Sequence, residues 1–547
     1  MSDLTNDSAI DRAVRQPRSR RELFRLLAGG AAVAAGGVAL APGAGALQGT
    51  PGGRASIVTS ANPASWDLTN STWPTWEGVN FLYDRLVSFD EAEQLIPALA
   101  LSWEASADGL EWTLKLRPGV TFHDGTPFNA SSVQFNIQRH LDMPDSGFYS
   151  VYEPVARVDI VDDLTAKIVL SEVRPNFAYE GLAQWGALQV SPTAFTALGA
   201  RFGEAPVGTG PFTFTSYEPG ASITYTRNET YWGGAPLLES VQVRIIPEAA
   251  VALVEMEAGT VDAIIVEPKD VQAMTDLGLV IEERVAPGAE MMSINVSQSP
   301  TDELKVRQAL ALAIDRDAII EAVLFGFAEK SNGGVTSTSP FYNADIPLIA
   351  YDPDAAGVLL DEAGWVMGEG GIRERDGQPL KLALLSSDFT DWGLFNQIFQ
   401  EQLRVVGIDT EITTLEWNAM LDQWRENQGP WHISYHQQGA IMASTSPIQA
   451  SWAPSDYWSI DQLDDATAPD LIPVRDELEA LANEFDTAAD PVRRLEIAKR
   501  AQTLFHDHQL TAWMWHRASV HAIQPRLKDY RLSHAGRIVE LDKAYIG

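Results

Sequence analysis

The chain has 547 residues, 45% of them hydrophobic and 9% aromatic, which is too long for one core and too apolar for a disordered chain. Its formal net charge of −35 argues against phosphate backbones and anionic lipid surfaces as partners, since both carry the same sign. Cysteine is absent, so disulfides, thiol catalysis and Cys-ligated metal sites are excluded together.

Residues 1–46 read as a leader outside the fold. Arg20 and Arg21 stand ahead of a mild, Ala- and Gly-rich apolar run over 26–40, and Ala44, Gly45 and Ala46 supply the small residues a signal peptidase accepts. A twin arginine with weak hydrophobicity reads as a Tat export signal, and the run is short for a permanent anchor. No cysteine follows it, which excludes a lipoprotein anchor.

Beyond the leader, a strand is expected over 55–58, followed by a loop through Asn62, Pro63, Trp66 and Asp67. Over 96–139, Trp112, Leu114 and Leu116 alternate onto one face, Asp108-Gly109 and Pro118-Gly119 are turns, and Asn129 opens a helix. Residues 156–170 predict a hairpin turning at Asp162-Asp163. Pro206-Val-Gly-Thr-Gly-Pro-Phe212 has spaced glycines, but no Lys-Ser/Thr follows to make a phosphate cradle. A strand over 239–247, a helix over 249–259 ending at Gly259 and a strand over 261–265 come next.

From 301 to 325 the pattern is helical, with Val306, Leu310, Ala313 and Ile314 on one face and Asp315 placed to cap a second helix. Pro353 fits a first helical turn and Gly364 the end of that helix. Strand 380–385, helix 395–406 closed by Gly407, and strand 408–415 form a β-α-β unit. Residues 480–508 read as one helix carrying Leu481, Phe485, Leu495, Ala498 and Leu504, and 511–515 as the last strand.

No zinc-protease, nucleophile-elbow, Walker A or Rossmann motif is present. His506 and His508 are two apart on an expected helix and so face different ways. The sequence therefore nominates no catalytic residue, no resident metal and no cofactor; it reads as a binder, not an enzyme.

Several segments carry a family likeness in order and spacing. They are Tyr83-x-x-Leu-Val-x-Phe-Asp90, Pro97-x-Leu-Ala-x-x-Trp103, the Pro206–Phe212 segment with Arg227-Asn-x-x-Tyr-Trp232, Val306-Arg-Gln-Ala-Leu-Ala-Leu-Ala-Ile-Asp-Arg316, and residues 351–365. Together they closely resemble the bacterial extracellular solute-binding proteins of family 5, the peptide- and nickel-type receptors of ABC importers. The resemblance implies an α/β, two-lobed periplasmic binding protein of type II, in the large cluster with an extra subdomain in the first lobe, and a ligand cleft between the lobes. On that scheme, 47–90, 208–295 and 511–547 form lobe I, 91–207 the extra subdomain, and 296–510 lobe II.

The implied function is capture of a peptide-like or other organic solute by lobe closure, and its delivery to an inner-membrane permease and ATPase complex. A Tat-exported, monomeric protein of the periplasm is expected, with no nucleic-acid partner. Aromatic residues in loops are candidates for the cleft wall: Trp66, Trp185, Trp392, Trp417 and Trp452, with Tyr83 beside them. Each could equally be a core anchor. His436 and Gln437 lie where the family strand leads into the ligand, and His436 resembles the histidine of nickel-type members. The run 432–452 has no Asp or Glu, where peptide-binding members usually place an acid for the ligand's α-amino group. The alternatives are a metal-chelate receptor using His436 and a hydrolase or chaperone on the same scaffold.

Overall fold

The computed structural model describes residues 50–63, 65–67, 69, 76–90, 94–388, 392–425, 431–437, 469–488, 490–533 and 539–547. Among these, the main sheet has eleven strands. Its order is Asp409–Leu415, Lys381–Ser387, Ile433–Gln437, Val280–Ile294, Thr511–Ile523, Ala263–Ile265, Arg54–Thr59, Ser240–Ile245, Ser222–Arg227 and Phe212–Glu218, with Ala328–Lys330 also on Thr511–Ile523. Arg54–Thr59 pairs in parallel with Ser240–Ile245, and Lys381–Ser387 in parallel with both Asp409–Leu415 and Ile433–Gln437. A separate four-stranded antiparallel sheet joins Ala100–Ala105, Glu111–Leu116, Thr165–Leu170 and Val155–Asp162. Its strand Glu111–Leu116 buries Trp112, Leu114 and Leu116, as the alternation requires.

Hydrophobic side chains gather into separate cores. One holds Leu310, Leu384, Phe395, Tyr435 and Trp515. A second holds Ile57, Tyr83, Phe212 and Tyr225, and a third, under the four-stranded sheet, Leu114, Val133 and Ile168. A fourth joins Met256, Ile264, Met274 and Val520. The long antiparallel pair Val280–Ile294 and Thr511–Ile523 runs between them: Ala512 to Trp515 pack in the first core, Val520 and Ala522 in the fourth. These are the crossing strands. Their pairing skips between Val285 and Ala289, a bulge at Ala286, Pro287 and Gly288.

Local signals act where the chemistry demands. Asn129 caps helix Ala130–Leu141 in a reciprocal box with Ser132, and Asp315 caps Arg316–Ala322 through the Ala318 amide. Asp352 caps Pro353–Glu362, with proline in the first turn, and Gly364 follows at a φ of +84°. One expectation is corrected. The stretch 480–508 lies in two helices, Ile472–Thr487 and Pro491–His508. Pro491 has no N–H to continue a helix, and Asp490 caps the new one through the Val492 amide.

One carboxylate explains why three sequence segments travel together. Asp84, in the Tyr83–Asp90 segment, accepts hydrogen bonds from Thr209 Oγ1 at 2.8 Å, Tyr231 Oη at 2.9 Å and Trp232 Nε1 at 2.9 Å. The residue keeps some surface, yet desolvation of its carboxylate pushes the acid up to about 6. Gly208 and Gly210 let the strand come this close, since an added Cβ would sit 2.1 Å from the Leu82 carbonyl oxygen and 2.5 Å from that of Phe81.

Candidate solute-binding cleft

Ligands of open α/β sheets collect beyond the carboxyl ends of the parallel strands. In the first core, Lys381–Ser387, Asp409–Leu415 and Ile433–Gln437 end on the same edge, and helix Trp392–Val405 starts there. Register places Glu290 opposite Gln437 on one side and Trp515 on the other, so these three share one row at the strand ends. Arg517 lies two residues further along the same face of its strand.

That row has a dense polar centre. Glu290 is 2% exposed, accepts from Tyr435 Oη and from Trp515 Nε1 at 2.5 Å, and forms an ion pair with Arg517 at 2.5 Å. Burial raises the Glu290 acid above the usual carboxylate range, while the Arg517 charge and these hydrogen bonds oppose that rise. Aromatic rings surround it: Phe395 lies 5.4 Å from Tyr435 and 5.5 Å from Trp515 between centroids. The Arg517 guanidinium packs over Phe395 at 4.9 Å.

The expected site residues divide into groups. Trp392, Trp417, His436 and Gln437 come together at this edge. Trp392 is buried, with its ring 5.6 Å from Trp417 and 6.2 Å from Tyr435, and Gln437 is partly exposed at the strand end. Trp66, Tyr83 and Trp185 instead pack in the second core. The Trp66 indole N–H donates to Tyr225 Oη at 3.2 Å, with Phe214 and Tyr217 edge-on at 5.0 and 5.2 Å. Tyr83 Oη donates to the Trp66 carbonyl at 2.9 Å, and Arg85 covers Trp185 at 4.6 Å. The three expected cleft residues Trp66, Tyr83 and Trp185 are thus placed in the second core rather than at the edge that holds Trp392 and Gln437. Trp452 lies outside the described residues.

His436 sits on the opposite face of its strand from Tyr435 and Gln437. It is 0% exposed, with Nε2 2.7 Å from the Ser293 hydroxyl. Burial pushes its pKa down to about 3, so the ring is neutral and enclosed rather than offered to the cleft. Among the described residues, no group of three or more His, Asp or Glu is arranged to hold a metal ion.

Sequence reasoning missed Glu290, Tyr435, Trp515 and Arg517. The signal available was a charged residue alone in an apolar strand: Glu290 in Ala-Glu-Met-Met, Arg517 after Trp-Met-Trp-His.

Separate cores bridged by crossing strands, with polar and aromatic side chains at the strand ends, define a two-lobed solute-binding protein. Residues 94–459 match the bacterial extracellular solute-binding proteins, family 5, middle region, and the chain belongs to that family. Heme-binding protein A of Haemophilus influenzae is 30% identical over 491 residues, which covers 83% of this chain and 85% of that protein. Glutathione-binding protein GsiB of Pectobacterium atrosepticum is 34% identical over 66% of this chain and 68% of its own length. Among solved structures, NikA from Brucella suis in complex with Fe(III)-EDTA superposes with a TM-score of 0.81 at 25% identity, covering 90% of this chain and all of that one.

Proposed function

We propose that this chain is the periplasmic substrate-binding component of an ABC importer. It captures one organic solute between its lobes and presents it to a membrane permease and ATPase complex. The observation that carries this reading is the edge where Trp392, Gln437, Glu290, Trp515 and Arg517 meet, at the carboxyl ends of the parallel strands. Relatives named for heme, glutathione and dipeptides support an organic solute. Lobe I is read as 47–90, 208–295 and 511–547, the extra subdomain as 91–207 and lobe II as 296–510; the core under the four-stranded sheet, drawn mostly from 95–183, supports the extra subdomain. The twin arginine at Arg20-Arg21 supports Tat export to the periplasm.

A metal chelate is the second reading, favoured by the fold match to NikA with Fe(III)-EDTA. With His436 enclosed, such a chelate is held through its organic part.

The test is a thermal-shift panel of di- and tripeptides, reduced glutathione, heme and Fe(III)-EDTA, with small-angle scattering to read lobe closure. A solute present at a hundred times its Kd adds about 2.7 kcal/mol to the folded state. One solute class raising Tm and closing the lobes is the expected result. Turnover of a panel member, or no shift with any of them, overturns the receptor reading.

A further inference from the structure

Among the described residues the first core and the third share no member, whereas the second and third share Phe148 and Val207 at their margins. The subdomain under the four-stranded sheet is therefore fused to the second core and meets the lobe built on the first core as a separate body. A hydrogen bond crosses between those two bodies. Helix Pro491–His508 packs in the first core through Ile497, Ala501 and Leu504, and its Arg494 guanidinium donates to Asn176 Oδ1, next to Phe177 of the third core. Both partners are buried, Arg494 at 7% and Asn176 at 4% exposed, so the bodies press together at this point.

We propose that this contact is a latch, which holds the two bodies closed on each other before a solute arrives and parts to admit one; the proposal rests on the two-lobed receptor reading above. Each body prepares its own half. Arg494 lies over the Phe485 ring at 4.2 Å and faces Phe341 at 5.9 Å, which fixes the guanidinium from the side of its own lobe. Asn176 precedes the short helix Phe177–Glu180, yet its side chain does not cap that helix and turns to the arginine instead. Helix physics asks for no cation in the first turn of Pro491–His508, where the dipole opposes it. The neighbouring Arg493 shows the ordinary arrangement, half exposed and paired with Glu484 and Glu496 of its own lobe at 2.6 and 3.3 Å.

The chemistry of the crossing bond suits a contact that has to break. Its acceptor is an amide, not a carboxylate. A guanidinium and an amide both hydrate readily when the bodies part, and neither leaves a counter-charge behind in the other. A carboxylate at 176 would grip the arginine harder, through a charge-assisted pair. A solute that enters a chain already biased towards closure inherits part of that closure from the protein, since a populated state binds more tightly than a rare one.

The experiment measures the separation of the two bodies directly. The chain has no cysteine, so Val161→Cys and Val358→Cys supply its two thiols for spin labels. Both positions are exposed, the first on the four-stranded sheet and the second on helix Pro353–Glu362, which packs in the first core. Pulsed electron paramagnetic resonance then reads the distance between labels in the full chain without solute, in the native background and in Asn176→Ala, Arg494→Met and Asn176→Asp. Arg494→Met keeps an apolar chain over Phe485 and loses the donor. The expected result is a dominant short distance in the native background, and about a tenfold fall in the ratio of short to long distances for Asn176→Ala and Arg494→Met, each folded by circular dichroism. Asn176→Asp offers the same guanidinium a carboxylate and keeps or enlarges the short population. An unchanged distribution in folded Asn176→Ala or Arg494→Met overturns the latch, and so does Asn176→Asp opening as far as Asn176→Ala, which would mark damage to the turn. No solute takes part, so either outcome leaves the receptor reading to the thermal-shift panel.

Discussion

Asp84 and Glu290 each hold three side-chain partners, and each joins segments distant in sequence. The difference is in the donors. Asp84 is held by a threonine hydroxyl, a tyrosine hydroxyl and an indole, all neutral, and its acid rises to about 6. Glu290 has a tyrosine, an indole and a guanidinium, and that cation reaches the surface. The first arrangement is a knot that ties the segments at Thr209 and at Tyr231-Trp232 to the loop after helix Trp76–Leu82. The second is a knot with an exposed end. Three neutral donors leave the carboxylate of Asp84 without a counter-charge, whereas the Arg517 guanidinium supplies one to Glu290.

The comparison breaks most sharply when each carboxylate is removed. Glu290→Ala leaves the Arg517 charge beside two abandoned donors, and a loss of about 3–5 kcal/mol is expected in urea unfolding. Asp84→Ala abandons three neutral donors and costs about 3 kcal/mol. A smaller loss at Glu290 than at Asp84 would mean that Arg517 is not held by its partner.

Proton linkage comes next. An acid whose native pKa is raised to about 6 keeps its proton longer folded than unfolded, so this contribution is complete below pH 4 and is lost as the pH rises through 6. The expected fall is on the order of 2–3 kcal/mol for such a shift. Asp84→Asn removes that slope from the unfolding free energy between pH 4 and 6; an unchanged slope would place the titration elsewhere.

The smallest effects come from single donors. Trp232→Phe and Trp515→Phe each delete one indole N–H from a carboxylate, for about 1.5–3 kcal/mol apiece. Only the second is expected to weaken solute binding as well, read by calorimetry.

Much of the scaffold was legible because its signals are local. Asn129, Asp315, Asp352 with Pro353, and Gly364 act within one helical turn of themselves, and each marks its boundary as its chemistry dictates. The missed break at Asp490 and Pro491 was equally local, and the continuous apolar spacing on both sides concealed it. The cleft was less legible. Glu290 and Arg517 are brought together by strand register, with Glu290 opposite Trp515, and no spacing in the chain encodes that pairing. Tryptophan was a poor guide for a related reason. An indole in a loop is large and apolar enough to be drawn into whichever core is nearest, as Trp66 and Trp185 are.

The bulge at Ala286, Pro287 and Gly288 gives the crossing strands a mechanical character. A bulge leaves its extra residues without rungs, and it bends and twists the strand that carries it. The absent rungs lie between Val285, opposite Ala518, and Ala289, opposite His516. Arg517 sits across from that gap. On its other edge the same strand is paired there by Ala328–Lys330, with Ala328 opposite Arg517, so the missing rungs on one side are braced by rungs on the other.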